Sequence, residues 1–189
     1  MRLEKQRCGW VKLSEPIYVA YHDNEWGKPL HDDRALFELF CLETQSAGLS
    51  WLMILKRREG YRKVFEGFDL EKVATYTSKD VERILQSGYV IKHKAKIESI
   101  IENAKGFLKI KSEYGSLDHY FWNHVGDQPI INQHNDYKKT LTTSEISNAI
   151  TKDLKKRGFK FVGSVTLYAF MQACGMVDDH EMGCWRKQK

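Results

Sequence analysis

Proline is scarce, with 3 in 189 residues, and no stretch is dominated by one or two residue types, which excludes a disordered linker or a low-complexity polymer. Repeats at solenoid periods are absent too. The opening Met1-Arg2-Leu3-Glu4-Lys5-Gln6-Arg7 carries charges with no apolar core behind them. No secretory signal is expected there, and the expected compartment is the cytosol. The most apolar stretch, Phe159 to Val177, is broken by glycines and polar residues and falls short of the ~20 continuous apolar residues of a bilayer span. It reads as buried helix, with no membrane partner. Asn-Gly and Asp-Gly turns are missing and no segment alternates with period two, which argues against hairpin-built sheets.

What remains is helical. Ile97, Ile100, Ile101, Ala104 and Leu108 fall on one helix face, as do Ile146, Ala149, Ile150 and Leu154. Thr77-Ser78-Lys79-Asp80 and Thr142-Thr143-Ser144-Glu145 have the spacing of N-terminal capping boxes, and Gly88 supplies a stop. Further helices are predicted over Asp33 to Ala47, Ser50 to Glu59, Lys79 to Gln86 and Ser164 to Cys174. An all-α fold follows. A hydrophobic fraction of 42% in 189 residues suits a single folding unit over 1–189, or two helical lobes sharing one core. The region from Gly126 to Leu141 has the composition of a surface connection.

Net charge is +5, with basic clusters at Lys92, His93, Lys94 and Lys96 and at Lys152, Lys155, Lys156, Arg157 and Lys160. Such clusters suit a polyanion, because neutralising phosphates releases counterions; a solvated helix face is the plainer alternative.

Cys8 and His22 lie near one end and His180 and Cys184, four residues apart, near the other. Two thiolates and two imidazoles form a soft tetrahedral set suited to a closed, structural zinc site that would join the two ends. Plain thiols are the alternative. Cys41 and Cys174 sit in apolar helices and read as small core residues.

The first third is rich in flat faces: Trp10, Tyr18, Tyr21, Trp26 and Trp51. Glu43 lies among them, in Cys41-Leu42-Glu43-Thr44-Gln45. A carboxylate near buried rings needs a charged or hydrogen-bonding partner. A ligand cation attracted by the ring faces would serve; so would a Lys or Arg, and simple exposure of Glu43 would remove the need. Near the other end, Lys155 through Thr166 run from a basic helix end through a glycine-bounded turn to a new helix start. Bare N–H groups at such a start, with lysines beside them, bind phosphate. The same glycines also serve as ordinary helix caps.

Taken together, Arg7-Cys8-Gly9-Trp10, Tyr21-His22-Asp23-Asn24-Glu25-Trp26-Gly27, Cys41-Leu42-Glu43 with Ala47-Gly48-Leu49-Ser50-Trp51, Lys155 through Gly163, and Met171-Gln172-Ala173-Cys174-Gly175 resemble the type I 3-methyladenine DNA glycosylases over nearly the whole chain. The resemblance implies a helix-hairpin-helix glycosylase fold and one structural zinc on Cys8, His22, His180 and Cys184. It implies a base pocket lined by Glu43, Trp51, Tyr21, Trp10 and Tyr18, with Glu43 as the catalytic carboxylate. Leu49, beside Gly48, would fill the gap left by an extruded nucleotide, while Lys160, Gly163, Ser164 and Thr166 would hold the DNA backbone. The implied partners are alkylated double-stranded DNA and the released 3-methyladenine, met by a monomer.

The chemistry implied is undemanding in one respect. Alkylation at N3 makes the adenine cationic, so it leaves neutral without a proton from the enzyme, and selection and placement become the main tasks. Glycosylases of the wider fold commonly use an aspartate after the hairpin; here Val177-Asp178-Asp179-His180 occupies that stretch, and a supporting role beside the zinc ligand is expected for both aspartates. Two other classes compete: a zinc-stabilised DNA-binding module without catalysis, and a zinc hydrolase, which would need an open coordination position.

Overall fold

The computed structural model describes residues 5–188. Among these residues ten α-helices carry the fold: α1 (Pro16–Asn24), α2 (Asp33–Ser46), α3 (Trp51–Leu55), α4 (Arg58–Val64), α5 (Leu70–Ala74), α6 (Ser78–Gln86), α7 (Lys94–Tyr114), α8 (Leu117–Trp122), α9 (Glu145–Lys156) and α10 (Ser164–Ala173). No helix among these residues is long and apolar enough to cross a membrane.

Helix α2 is the hub. Its N-terminus is capped by the Asp32 carboxylate, which accepts from the Ala35 amide at 2.8 Å. From Leu36 through Gln45 every residue is buried, because α7, α8 and α10 all pack against it. The packing is aromatic. Phe40 meets Phe107 of α7 at 4.7 Å between ring centroids, Phe107 meets Phe159 at 4.7 Å, and Phe121 of α8 meets Phe170 of α10 at 4.7 Å, all in edge-on or tilted geometry. Phe159 comes so close to α7 that a Cβ on Gly106 would lie 2.4 Å from its ring, so only glycine lets the chain after α9 seat there. Buried apolar side chains from both halves of the chain join in one cluster.

Four polar side chains lie within the buried run of α2, and burial requires partners for them. Glu38 accepts from Arg58 at 2.5 Å and from Arg62 at 3.0 Å. The Thr44 hydroxyl donates to the Cys41 carbonyl, and Gln45 donates to the Lys96 carbonyl at 2.9 Å. Glu43 is the fourth, and among the described residues its carboxyl has no hydrogen-bond or ion-pair partner.

Several expectations need correction. Strands Ile130–Ile131 (β1) and Val177–Asp178 (β2) pair in parallel, so the fold is mostly helical rather than purely so. Two residues are too few to leave a period-two signal. The helix expected over Ser50 to Glu59 breaks into α3 and α4 at Arg57, whose φ of −107° and ψ of 0° leave the helical run. Arg58, the first residue of α4, pairs with Glu25 and Glu38. The second capping box is formed by Ser144 and Ser147, two residues later than the expected Thr142 and Glu145. The first forms at Thr77 and Asp80 as spaced.

Candidate base pocket and metal-ligand cluster

A cavity of about 390 Å³ lies between α1, α2, α3 and α10, within the range of roughly 300–1,000 Å³ typical of small-molecule pockets. Trp10, Tyr18, Tyr21, Trp26 and Trp51 supply its aromatic walls, and Glu43 faces into it from α2. The rings brace one another. Tyr21 and Trp51 stand 5.4 Å apart, Trp10 and Tyr18 5.1 Å, and Trp10 and Trp26 5.0 Å. The Trp51 indole Nε1 is buried with no partner. Desolvation pushes the Glu43 carboxyl up to about 8, because its charged form has lost water without gaining a donor. A ligand bringing a positive charge or N–H donors would restore what burial removed.

A second carboxylate on the same pocket is in the opposite state. Asp179 accepts from the Tyr168 hydroxyl at 2.8 Å, from Gln172 at 2.7 Å and from Asn132 at 2.7 Å. Its neighbour Asp178 points away, accepting from the His180 ring at 2.8 Å and from the His180 amide at 2.9 Å. The remaining wall was not legible in the sequence. Tyr137, Thr140 and Leu141, from the connection expected to run over the surface, line the pocket together with Thr142, expected as a helix cap. One aromatic in a polar loop was the only hint.

At the joined ends of the chain, ligand atoms of Cys8, His22 and Cys184 lie within 4.8 Å of one another, all buried. His180 lies outside that tight group, but its ring centroid is 5.3 Å from that of His22 and its Nε2 is buried without a partner. Both imidazoles are oriented from behind. The Nδ1 of His22 pairs with Asp23 at 2.8 Å and that of His180 with Asp178 at 2.8 Å. Nδ1–H therefore faces a carboxylate in each, which turns Nε2 inward: that of His22 meets the Cys184 sulfur at 3.4 Å, and that of His180 has no partner. The Arg7 guanidinium, with a smaller part from His22, holds the Asp23 carboxyl at about 2. Burial opposes ionisation of Asp178, yet hydrogen bonds from His180 and the Gln188 amide hold it at about 2. A hydrogen bond from the Cys8 thiol holds Cys184 well below the usual thiol range, and the same contact with burial drives Cys8 upward.

The expected DNA-facing residues lie on two projections. Gly48, with φ of +76°, turns the chain after α2 so that Leu49 stands 38% exposed at the pocket rim. Between α9 and α10, Lys160 and Phe161 are exposed, and Gly163 begins α10 with no side chain capping its amides; Ser164 and Thr166 follow, partly exposed. The basic clusters divide. Lys152, Lys155, Lys156 and Lys160 are exposed, whereas Arg157 is tied to Asp153 and Glu113 at 2.7 Å each. Lys96 is no polyanion contact: it is buried, and its ammonium donates to the Gln45 and Ala47 carbonyls at 2.7 Å, capping the end of α2. His93 caps α7 by accepting from the Lys96 amide.

Known proteins place these features in a family. Residues 10–187 match the model of the methyladenine glycosylase family. DNA-3-methyladenine glycosylase 1 of Escherichia coli K12 is 48% identical over 179 residues, which is 95% of each chain. The DNA-3-methyladenine glycosylase of Haemophilus influenzae is 46% identical over 94% of this chain and 96% of its own. Among solved structures, the Staphylococcus aureus 3-methyladenine DNA glycosylase I described for its recognition of 3-methyladenine superposes with a TM-score of 0.93 at 40% identity, covering 97% of each chain. The chain belongs to the methyladenine glycosylase family.

Proposed function

We propose that this protein excises 3-methyladenine from alkylated duplex DNA, and that Glu43 with its surrounding rings forms the site for the extruded base. The observation that carries the reading is a buried carboxyl without a partner in an aromatic cavity. N3-alkylated adenine in DNA is cationic and presents an amino edge, so it satisfies both the rings and the carboxylate, and unmodified adenine does not. Trp51, Tyr21, Trp10 and Tyr18 stack on or enclose the base. Glu43 reads it and stabilises positive charge as the bond to the sugar breaks. A desolvated cation–π contact returns ~2 kcal/mol or more against an unstacking cost of a few kcal/mol that is smaller for damaged bases.

The DNA is held elsewhere. The α9–α10 connection is read as the hairpin of a helix-hairpin-helix element, with the amides at Gly163, Ser164 and Thr166 and the Lys160 ammonium on phosphates; Leu49 occupies the space vacated in the stack. A binding module without catalysis would have no use for the cavity. The chain is read as a single domain of two helical lobes flanking the pocket, acting as a monomer in the cytosol. That one chain supplies every lining residue of the pocket supports the monomer.

Zinc is the proposed cofactor. Two thiols and two Nε2 atoms, each backed by a carboxylate at Nδ1, fit a closed four-donor site, and the unpartnered Nε2 of His180 is the donor that a metal would engage. Cys8, His22, His180 and Cys184 would hold it, and it would supply folding free energy by joining the chain's ends. Incubation with methylated duplex DNA and chromatography of the released bases tests the function. Release of 3-methyladenine is expected, and its absence overturns the reading.

A further inference from the structure

Glu181 lies between two proposed metal ligands, yet its carboxylate faces the pocket walls. One oxygen accepts from the Gly9 amide and the other from the Tyr137 amide, both at 2.7 Å. These donors belong to segments 128 residues apart, and each segment continues directly into the pocket: Gly9 precedes Trp10, and Tyr137 itself lines the cavity. We propose that Glu181 is a positioning residue that staples the Trp10 turn to the Tyr137 turn, joining two walls of the base pocket. The inference rests on the pocket being the base site.

Three observations support it. Tyr137 opens a short 3₁₀ turn, whose first amide has no partner within the turn, so the Glu181 oxygen satisfies a donor that would otherwise be orphaned. Gly9 makes the second contact geometrically available: an added Cβ would lie 3.1 Å from the Tyr137 ring, so the two segments touch as well as share an acceptor. The same stretch of chain holds the pocket loop at further points. The Met182 amide donates to the His134 carbonyl at 2.9 Å, and the His134 ring pairs with the Asp179 carbonyl at 2.9 Å. Glu181 is the only one of these contacts that also reaches the Trp10 side. Hydrogen bonds to an ionised acceptor are stronger than neutral ones and directional, so a single carboxylate fixes the spacing of two walls.

The test compares Glu181→Ala and Glu181→Gln with the parent protein, the glutamine retaining one acceptor oxygen. Readouts are affinity for free 3-methyladenine followed by tryptophan fluorescence, single-turnover excision, metal content, melting temperature and affinity for undamaged duplex. The alanine variant is expected to bind the base about tenfold more weakly, the scale of one charged hydrogen bond, with KM affected more than kcat. Glutamine should recover part of the loss, and metal content and undamaged-duplex affinity should hold. Unchanged base affinity in the alanine variant overturns the proposal, as does a loss that appears only together with lost metal and a fallen melting temperature. Failure of the parent protein to bind the base would instead strike the functional reading on which the proposal stands.

Discussion

Two carboxylates face the same cavity and differ in almost every respect. Asp179, on the segment after α10, is surrounded by the Tyr168 hydroxyl and the Gln172 and Asn132 amides, all within 2.8 Å. Glu43, on α2, is also buried, with its carboxyl on the cavity, and has no donor among the described residues. A buried carboxylate with three donors is a fixed part of the framework, tying α10 to the loop that includes Asn132. One with none is held in an unfavourable state by the packing around it, and gains from any cation that enters. Partnership, more than position, separates a framework acid from a working one here.

Breaking the working side should have the largest effect. Glu43→Gln is expected to lower single-turnover excision by roughly 10²-fold, the scale of removing one electrostatic contact to developing charge, with little loss of fold. Rapid-quench measurement on methylated duplex checks this; a variant with the parent rate would leave Glu43 no catalytic part. Next is Trp51→Ala, which removes a stacking face. Base affinity should fall about 30-fold, corresponding to ~2 kcal/mol of base–aromatic stacking, as read by calorimetry with free base.

The framework side should respond in stability instead. Asp179→Asn leaves three donors meeting an amide that can accept fewer of them, and about 1–3 kcal/mol of stability should be lost in urea unfolding, with base affinity changed far less. If excision fell as steeply as for Glu43→Gln while stability held, the two carboxylates would not divide as argued.

The pH dependence sharpens the contrast. The folded-state pKa of Glu43, about 8, lies above its ordinary value of 4.5, so between those values the folded protein binds more protons than the unfolded chain. The stability associated with the protonated carboxyl is present in full at low pH and is lost as pH rises through about 8. Glu43→Gln should therefore raise the melting temperature at pH 9 and leave it unchanged at pH 4. Excision, needing the ionised form, should rise through the same range and lose that rise in the variant. The smallest effect is expected far from both acids. Lys160→Ala should weaken DNA binding uniformly across sequences and reduce the salt slope by about 1, without altering base affinity.

Much of this was legible in the sequence where local rules govern. Asp33 to Ala47, Lys79 to Gln86 and Ser164 to Cys174 nearly coincide with α2, α6 and α10, because capping residues and apolar spacing act within a few residues. Glu43 and its rings were also within reach, since their residue types are unusual together. What long-range contact decides was not. Glu43 without a partner is known only once α7, α8 and α10 have closed around α2. Lys96 read as one more basic residue until the end of α2 arrived beside it. Helix α1 went unread although Pro16 at its first turn is a start signal, and the Tyr137 to Thr142 wall gave no more than one aromatic in a polar loop, because its docking on residues 178–182 depends on long-range contact.

The central claim, that Glu43 is a desolvated carboxyl kept for a cationic base, is tested most directly by its own titration. Carbon-13 NMR of labelled glutamate, assigned through Glu43→Gln, should give a midpoint near 8 in the free protein that falls when duplex carrying a cationic nucleotide analogue is bound. A midpoint at the ordinary value near 4.5, unmoved by that DNA, would contradict the account.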